Sequence, residues 1–295
     1  MSHPIKPIQI TKFITDSPTV KPDLVIIEEP LEIRLGYGEE HNRHQKSISV
    51  TMRTPTDHDF ELALGFLFTE NIIQHFDQIL SIHYCTDNNR QLQENLVRVE
   101  LHPTVKLDFQ SLERHFYTTS SCGICGKASI EAIQTQCPIP LNSSLSVSTN
   151  FIYQLSNIVE QKQVFFKHTG GLHMAALVTP SLSNHDIGEV LLLREDIGRH
   201  NALDKLIGAA FQQNLLPLSN GILFMSSRAS FELIQKALMA GISIMVCIGA
   251  PSSLAIETAQ EFGITLIGFL KEDSFNIYTG SERITYKIYE ESPIT

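Results

Sequence analysis

The chain contains no tryptophan, only five cysteines in 295 residues, and no apolar run near the ~20 residues that a bilayer-spanning helix needs. The longest greasy stretch, Ile242 to Ile248, has the length of a buried strand. An odd, sparse set of cysteines argues against a disulfide scaffold and for reduced thiols. The opening MSHPIKPIQITKF has no apolar core of the signal-peptide kind. The expectation is a cytoplasmic protein with no membrane association. Basic residues are also short, 22 against 32 acidic, for a net charge of -10. Nucleic-acid binders carry the opposite excess, so nucleic acid is excluded as a partner class. A locally basic pocket for a small anionic ligand remains compatible with the acidic total.

What is present divides into two styles. Residues 1–22, with Pro4, Pro7, Pro18 and Pro22, read as an irregular segment. Residues 23–115 read as a smaller, β-rich α+β domain. Strands are expected at 24–27, 32–35 and 47–52, the last two with apolar–polar alternation. A buried helix should follow, capped by Thr56 or Asp57. A strand pair at 79–85 and 96–101 should close around Asp87–Arg90. Residues 116–285 read as the larger domain and 286–295 as a tail. In the larger domain a helix is expected at 127–135, a linker at 138–148, a helix at 151–161, a strand from Val164 to Lys167, and hairpin strands at 172–178 and 189–194 turning at Asn184–Asp186. Helix and strand then alternate: 201–212, 221–225, 230–240, 242–248, 254–261, 264–269. Gly241 and Gly263 each follow a helix, where a left-handed cap is wanted. The fold class is α/β, α+β overall, with a partly parallel sheet under helices.

The strongest chemical signal is Cys122-Gly-Ile-Cys125, set in Thr119-Ser-Ser and followed by Gly126-Lys127. Two thiols three residues apart meet at a turn or helix start. There, free N–H groups and Lys127 favour thiolate, the form that attacks a sulfur donor and holds the sulfur as a persulfide. Structural zinc wants a second ligand pair, and none is near. A zinc deaminase wants HxE ahead of PCxxC; no HxE precedes Cys122, and Ser121 stands where proline would be. No metal is expected. A thioredoxin-type dithiol fits a CxxC between strand and helix and stays open as an alternative. Cys247 reads as a small core residue; Cys85 and Cys137 read as structural.

Four polar clusters surround this signal. His168-Thr-Gly170-Gly171-Leu-His173 is a glycine turn between histidines. Arg194-Glu-Asp-Ile-Gly-Arg199-His200-Asn201 links a greasy strand to a helix. Ser226-Ser227-Arg228-Ala-Ser230 and Gly249-Ala-Pro-Ser-Ser253 each follow a strand and open a helix, and they should share one edge of the sheet. Hydroxyls, free N–H groups and a guanidinium there suit phosphates.

In this order, SSCGICGKASIEAI, HTGGLHMAAL, REDIGRHNALDKLIG, SSRASFELIQKA and GAPSSLAIETAQEFGITLIGF resemble the formate dehydrogenase accessory sulfurtransferase family, FdhD. The earlier TPTDHDFELALGFLFTENII resembles it too. The resemblance implies a cytidine-deaminase-like layered α/β/α domain without zinc, and a homodimer. It implies sulfur taken from a cysteine desulfurase and passed to the molybdenum bis(molybdopterin guanine dinucleotide) cofactor, with formate dehydrogenase as the client. On that basis Cys122 is the persulfide carrier and Cys125 its partner thiol. Phe269, Leu270, Lys271, Glu272, Asp273 and Ser274 fall by position where the family contacts the dinucleotide, a pocket that also suits a guanine nucleotide. Arg199, His200, Ser227, Arg228, Gly170, Gly171 and His173 join them as expected cofactor contacts. A cofactor carrier without sulfur transfer is the other alternative.

Overall fold

The computed structural model describes residues 4–87, 89–107, 141, 144–181 and 187–286. The CxxC pair, Cys137, the helix expected at 127–135, most of the 138–148 linker, the 184–186 turn and most of the tail lie outside the described residues. The chain divides into two compact units. One comprises residues 1–138, 163–175 and 192–216, the other 139–162, 176–191 and 217–295. The expected boundary at residue 116 is therefore replaced by an interleaved one. The chain crosses between units along two strands, a non-local arrangement that leaves no mark on local composition.

The first unit begins with a hairpin, β1 (Ile5–Ile14) and β2 (Ser17–Ile26), where an irregular segment was expected. Thr15 and Asp16 both adopt positive φ, 46° and 63°, as a two-residue hairpin turn requires. The prolines do not break it. The register pairs Pro7 with Leu24, Gln9 with Pro22 and Phe13 with Pro18, all of one parity, so each ring replaces an N–H that would point away from the ladder.

A four-stranded sheet follows in the order β4-β3-β6-β5, from β3 (Glu29–Tyr37), β4 (His44–Arg53), β5 (Ile79–Thr86) and β6 (Leu92–Leu101). β3 and β6 pair parallel at its centre. Leu31, Ile33 and Leu35 bury every second residue of β3, as the alternation predicts. Helix α1 (Asp59–Thr69) buries eight of its eleven residues, in line with its dense apolar content. Its N-cap is His58, with no side-chain cap bond. Neither Thr56 nor Asp57 caps it; the Asp59 carboxylate is taken by Arg53 at 2.9–3.1 Å.

The second unit carries a small parallel pair, β7 (Val147–Ser148) with β14 (Ile284–Thr285), and helix α2 (Thr149–Glu160), capped by Ser148. Residues 166–169, which belong to the first unit, form the single turn α3 rather than a strand. β8 (His173–Pro180) and β9 (Gly188–Asp196) are the strands along which the chain passes between the units, and β9 leads into helix α4 (Arg199–Gln212) of the first unit. The remaining elements alternate as expected: β10 (Ile222–Met225), α5 (Phe231–Met239), β11 (Ile244–Cys247), α6 (Ser253–Glu261), β12 (Thr265–Gly268), then β13 (Asn276–Thr279). The sheet order is β13-β12-β11-β10-β8-β9, with β10, β11 and β12 parallel. These three strands are buried at every position, which is why they read as unbroken apolar runs. Gly241 and Gly263 sit at φ 75° and 74°, the left-handed caps the sequence asks for. Among the described residues no helix is long and apolar enough to cross a membrane.

Candidate functional site

The expected contact residues fall into two groups, one in each unit. In the second unit, Ser227–Arg228, Gly249–Ser253 and Phe269–Ser274 leave the C-terminal ends of three adjacent parallel strands. Main-chain bonds staple them together. Gly249 N donates to the Ser227 carbonyl at 3.1 Å, Phe269 N to the Gly249 carbonyl at 3.3 Å, and Ser252 N to the Ala229 carbonyl at 3.0 Å. The two serine loops do share one edge of the sheet. Glycine is needed at 249: a Cβ there would lie 2.7 Å from Arg228 Cγ and 3.0 Å from its Cα.

Along this edge Arg228, Phe269, Lys271, Glu272, Asp273 and Ser274 are exposed, while Leu270 is buried. Ser227 is buried and its hydroxyl donates to the Arg228 carbonyl at 3.1 Å, so it shapes the loop. Ser252 caps α6 by accepting from Ala255 N at 3.2 Å. Lys271 N donates to the Ser274 carbonyl at 2.8 Å, closing the turn from β12 toward β13. Phe269 has φ 54°, unusual for an aromatic residue, and 44% exposure. An exposed ring, a guanidinium, an ammonium and the N-termini of α5 and α6 thus converge on one sheet edge. They supply a stacking surface and hydrogen-bond donors, with the Glu272 and Asp273 carboxylates exposed on the same edge.

In the first unit, Arg199 and His200 occupy the first turn of α4 rather than a loop, and His173 opens β8. Gly170 ends α3 at φ 64°, with open space around it, and Gly171 follows. Burial lowers the His173 pKa first, and the Arg199 and His200 charges push it further down. Arg199 Nε is shielded from solvent and meets no acceptor among the described residues. The helix start holds two basic residues and no acid, the reverse of what the dipole prefers. The nearest carboxylate, Asp196, meets the helix entry at Gly198 N and raises the His173 pKa against these charges.

Two acids that sequence reading left without roles hold this region. Glu195, 5% exposed, accepts from Val164 N, Phe165 N and Phe166 N at 3.0–3.2 Å. That carboxylate converts the expected strand at 164–167 into the turn α3. Asp196 is fully buried. Oδ1 accepts from Gly198 N at 2.9 Å and Asn201 Nδ2 at 3.1 Å; Oδ2 accepts from Lys205 Nζ at 2.6 Å and Thr54 N at 3.3 Å. Lys205, also fully buried, donates as well to Thr56 Oγ1. The Asp196–Lys205 pair thereby fixes the entry of α4 and the positions of Arg199 and His200. The signal was the run REDIGRHNALDK itself: a buried helix keeps charges only where they are paired.

Cys247 is in the core, as expected, its thiol pushed up to about 12 by burial. Cys85 is half-buried and its pKa is likewise raised, chiefly by burial. Neither is an activated thiol. No group of His, Cys, Asp and Glu among the described residues is arranged to hold a metal ion.

Fold and site place the chain among mixed α/β proteins whose loops line the edge of a parallel sheet. A family model described as the FdhD/NarQ family matches residues 26–285, and the chain belongs to that family. Among curated relatives, "Sulfur carrier protein FdhD" of Streptomyces coelicolor is 44% identical over 275 residues, 91% of this chain and 92% of the relative. The protein of the same name from Mycobacterium tuberculosis is 42% identical (92% and 95% covered), and that from Sulfurisphaera tokodaii 39% (95% and 99%). A crystal structure described as that of a formate dehydrogenase accessory protein from Desulfotalea psychrophila superposes with TM-score 0.67 at 18% identity. It covers 95% of this chain and 99% of its own, and shows the fold.

Proposed function

We propose that this chain is a sulfur carrier serving formate dehydrogenase in the cytoplasm. Cys122 accepts sulfur from a cysteine desulfurase as a persulfide, with Cys125 as the partner thiol. The acceptor is the molybdenum bis(molybdopterin guanine dinucleotide) cofactor, bound as substrate. When sulfur leaves, the persulfide S–S bond breaks and Cys122 returns as a thiolate. Membership of the family whose curated relatives are named sulfur carriers supports the carrier role. The observation that carries the acceptor class is the stapled sheet edge, where Phe269 offers a ring to a guanine and Arg228 and Lys271 offer charge to phosphates. Arg199 and His173 offer a further anion position at the start of α4.

The test incubates the protein with a cysteine desulfurase and cysteine, then reads intact and trypsin-digested mass for wild type, Cys122→Ala and Cys125→Ala. Gain of one sulfur on the 122–125 peptide, removable by reductant and lost in Cys122→Ala, is the expected result. No gain in wild type, with GDP still bound, would instead make the chain a cofactor carrier. Catalytic reduction of insulin disulfides with dithiothreitol would make it a thiol-disulfide oxidoreductase.

A further inference from the structure

Helix α4 is held along its body by a close approach to α1 at Gly208 and by the buried Asp196–Lys205 pair. Its first turn is held separately, by Asn201. The amide Nδ2 donates to the Met52 carbonyl at 2.7 Å and to Asp196 Oδ1 at 3.1 Å. The amide Oδ1 accepts from Thr51 Oγ1 at 3.0 Å. A carbonyl and a carboxylate can only accept, so one orientation of the amide satisfies both, and the Thr51 hydroxyl completes it. Asn201 is 7% exposed. Its partners stand at the ends of β4 and β9, and all of them lie in the first unit.

None of these bonds serves the helix as a helix. Asparagine is a poorer helix former than alanine or leucine. The N-cap, Gly198, makes no side-chain cap bond, so the usual local staple of a first turn is missing. Asn201 therefore holds by tertiary bonds the turn that frays most readily, and that turn carries Arg199 and His200. Glycine at 198 makes the closure possible: a Cβ there would lie 3.0 Å from Asn201 Nδ2 and 3.5 Å from Asp196 Oδ1. Arg199, His200 and Asp196 are also the charged groups that act on His173, so the imidazole senses where the first turn stands.

We propose, on the reading that the α4 start meets the acceptor cofactor, that Asn201 is a positioning residue. Through the first turn of α4 it sets where Arg199 and His200 meet the acceptor, and it takes no part in sulfur loading. Displacing a reacting or orienting group by ~1 Å costs about 100-fold in rate. A first turn freed of three bonds has room for such a displacement, while the contacts of the helix body stay in place. A purely structural staple would make the same three bonds, and function after loading separates the two.

The test uses the full chain as wild type, Asn201→Ala and Ser148→Ala. Ser148 caps α2 in the second unit, so its alanine variant loses stability without touching α4. Four properties are measured: urea unfolding, sulfur loaded by a cysteine desulfurase with cysteine, activation of formate dehydrogenase by the loaded chain, and the His173 resonance against pH with and without GDP. In Asn201→Ala the better helix former offsets part of the lost bonding, so unfolding should stay close to that of Ser148→Ala. Loading should equal wild type. Activation should fall roughly 10- to 100-fold, and the response of His173 to GDP should shrink. Ser148→Ala should match wild type in loading, activation and His173 response. Equal activation and an equal His173 response in Asn201→Ala and wild type overturn the proposal. So does a loss of activation shared by Ser148→Ala, which would make the staple structural only. A wild type whose His173 ignores GDP overturns the α4 contact and the proposal with it. In a wild type that takes up no sulfur the carrier reading fails by itself, and the GDP response of His173 still decides the role of Asn201.

Discussion

Gly65 of α1 and Gly208 of α4 mark a crossing where the two helices meet backbone to backbone. A Cβ on Gly65 would lie 1.8 Å from the Asp204 carbonyl oxygen, and one on Gly208 would lie 1.8 Å from the Glu61 carbonyl oxygen. Around the crossing, Thr69 Oγ1 donates to Asp204 at 3.0 Å and the Phe68 and Phe211 rings pack at 5.2 Å. The contact matters beyond stability, because α4 carries Arg199 and His200 at its start and Lys205 on its buried side.

Glycine to alanine within an exposed helix should stabilise by about 1 kcal/mol through propensity alone. Gly208→Ala should do the reverse here. With no room for a methyl, the helices must separate, and a loss of about 2–3 kcal/mol is expected. Urea unfolding measures it. A stabilised Gly208→Ala would show that the helices do not touch at this point.

Glu61 supplies a pH-dependent counterpart. Burial by itself would raise its pKa. Hydrogen bonds from Arg194 Nε at 2.5 Å, from a second Arg194 nitrogen at 2.7 Å and from His58 outweigh it and hold the carboxyl at about 2 against an ordinary 4.5. A depressed carboxylate adds stability above its unfolded pKa, and loses that stability as pH falls through the folded value. The stability difference between wild type and Glu61→Gln should therefore be full, about 1–2 kcal/mol after solvent screening, above pH ~5 and fade toward pH ~2. A difference independent of pH would mean that the Arg194 pairing does not bias the carboxyl.

His173 reports on the anion position at α4. Burial and the Arg199 and His200 charges hold its pKa below the usual histidine range. An anion bound beside Arg199 would oppose both charges. Titration by nuclear magnetic resonance should find the His173 pKa higher with saturating GDP than without. The upward shift should shrink in Arg199→Ala, where one of the two repelling charges is already gone. An identical His173 titration with and without ligand would remove this helix start from the binding site.

The parallel half of the fold was legible because its signals are local. The buried four-residue runs of β10 and β11, each followed by a serine or glycine loop, and Thr265–Gly268 dictate β10, β11 and β12, and a glycine after α5 and another after α6 fix the helix ends. The co-location of the Ser227 and Gly249 loops followed from that topology alone. What escaped depends on distant partners. Val164–Lys167 has strand composition, yet Glu195, about thirty residues on, gathers its N–H groups into a turn. Asp59 is a first-turn acid of α1, yet its carboxylate is taken by Arg53 at the end of β4, so it is paired and does not cap the helix. The N-terminal prolines read as breakers singly; only the pairing register shows them sharing one outward parity. The interleaving of the two units is non-local by nature, since composition at residue 116 carries no information on where 192–216 packs.

Phe269 joins local strain to the candidate site. A non-glycine residue at φ 54° costs about 1 kcal/mol or more, and such strain persists where surrounding structure or function demands it. Phe269 N is held by the Gly249 carbonyl, while the ring stands 44% exposed at the sheet edge. Two substitutions separate the roles. Phe269→Gly removes both ring and strain; Phe269→Ala removes the ring alone. Phe269→Gly should be more stable than Phe269→Ala by about 1 kcal/mol in thermal or urea unfolding. If the ring stacks on a guanine, both variants should bind GDP about tenfold more weakly than wild type by calorimetry, since base stacking on an aromatic side chain contributes ~1–3 kcal/mol. Unchanged GDP affinity in both would leave the exposed ring without a ligand and would move the guanine away from the β12 loop.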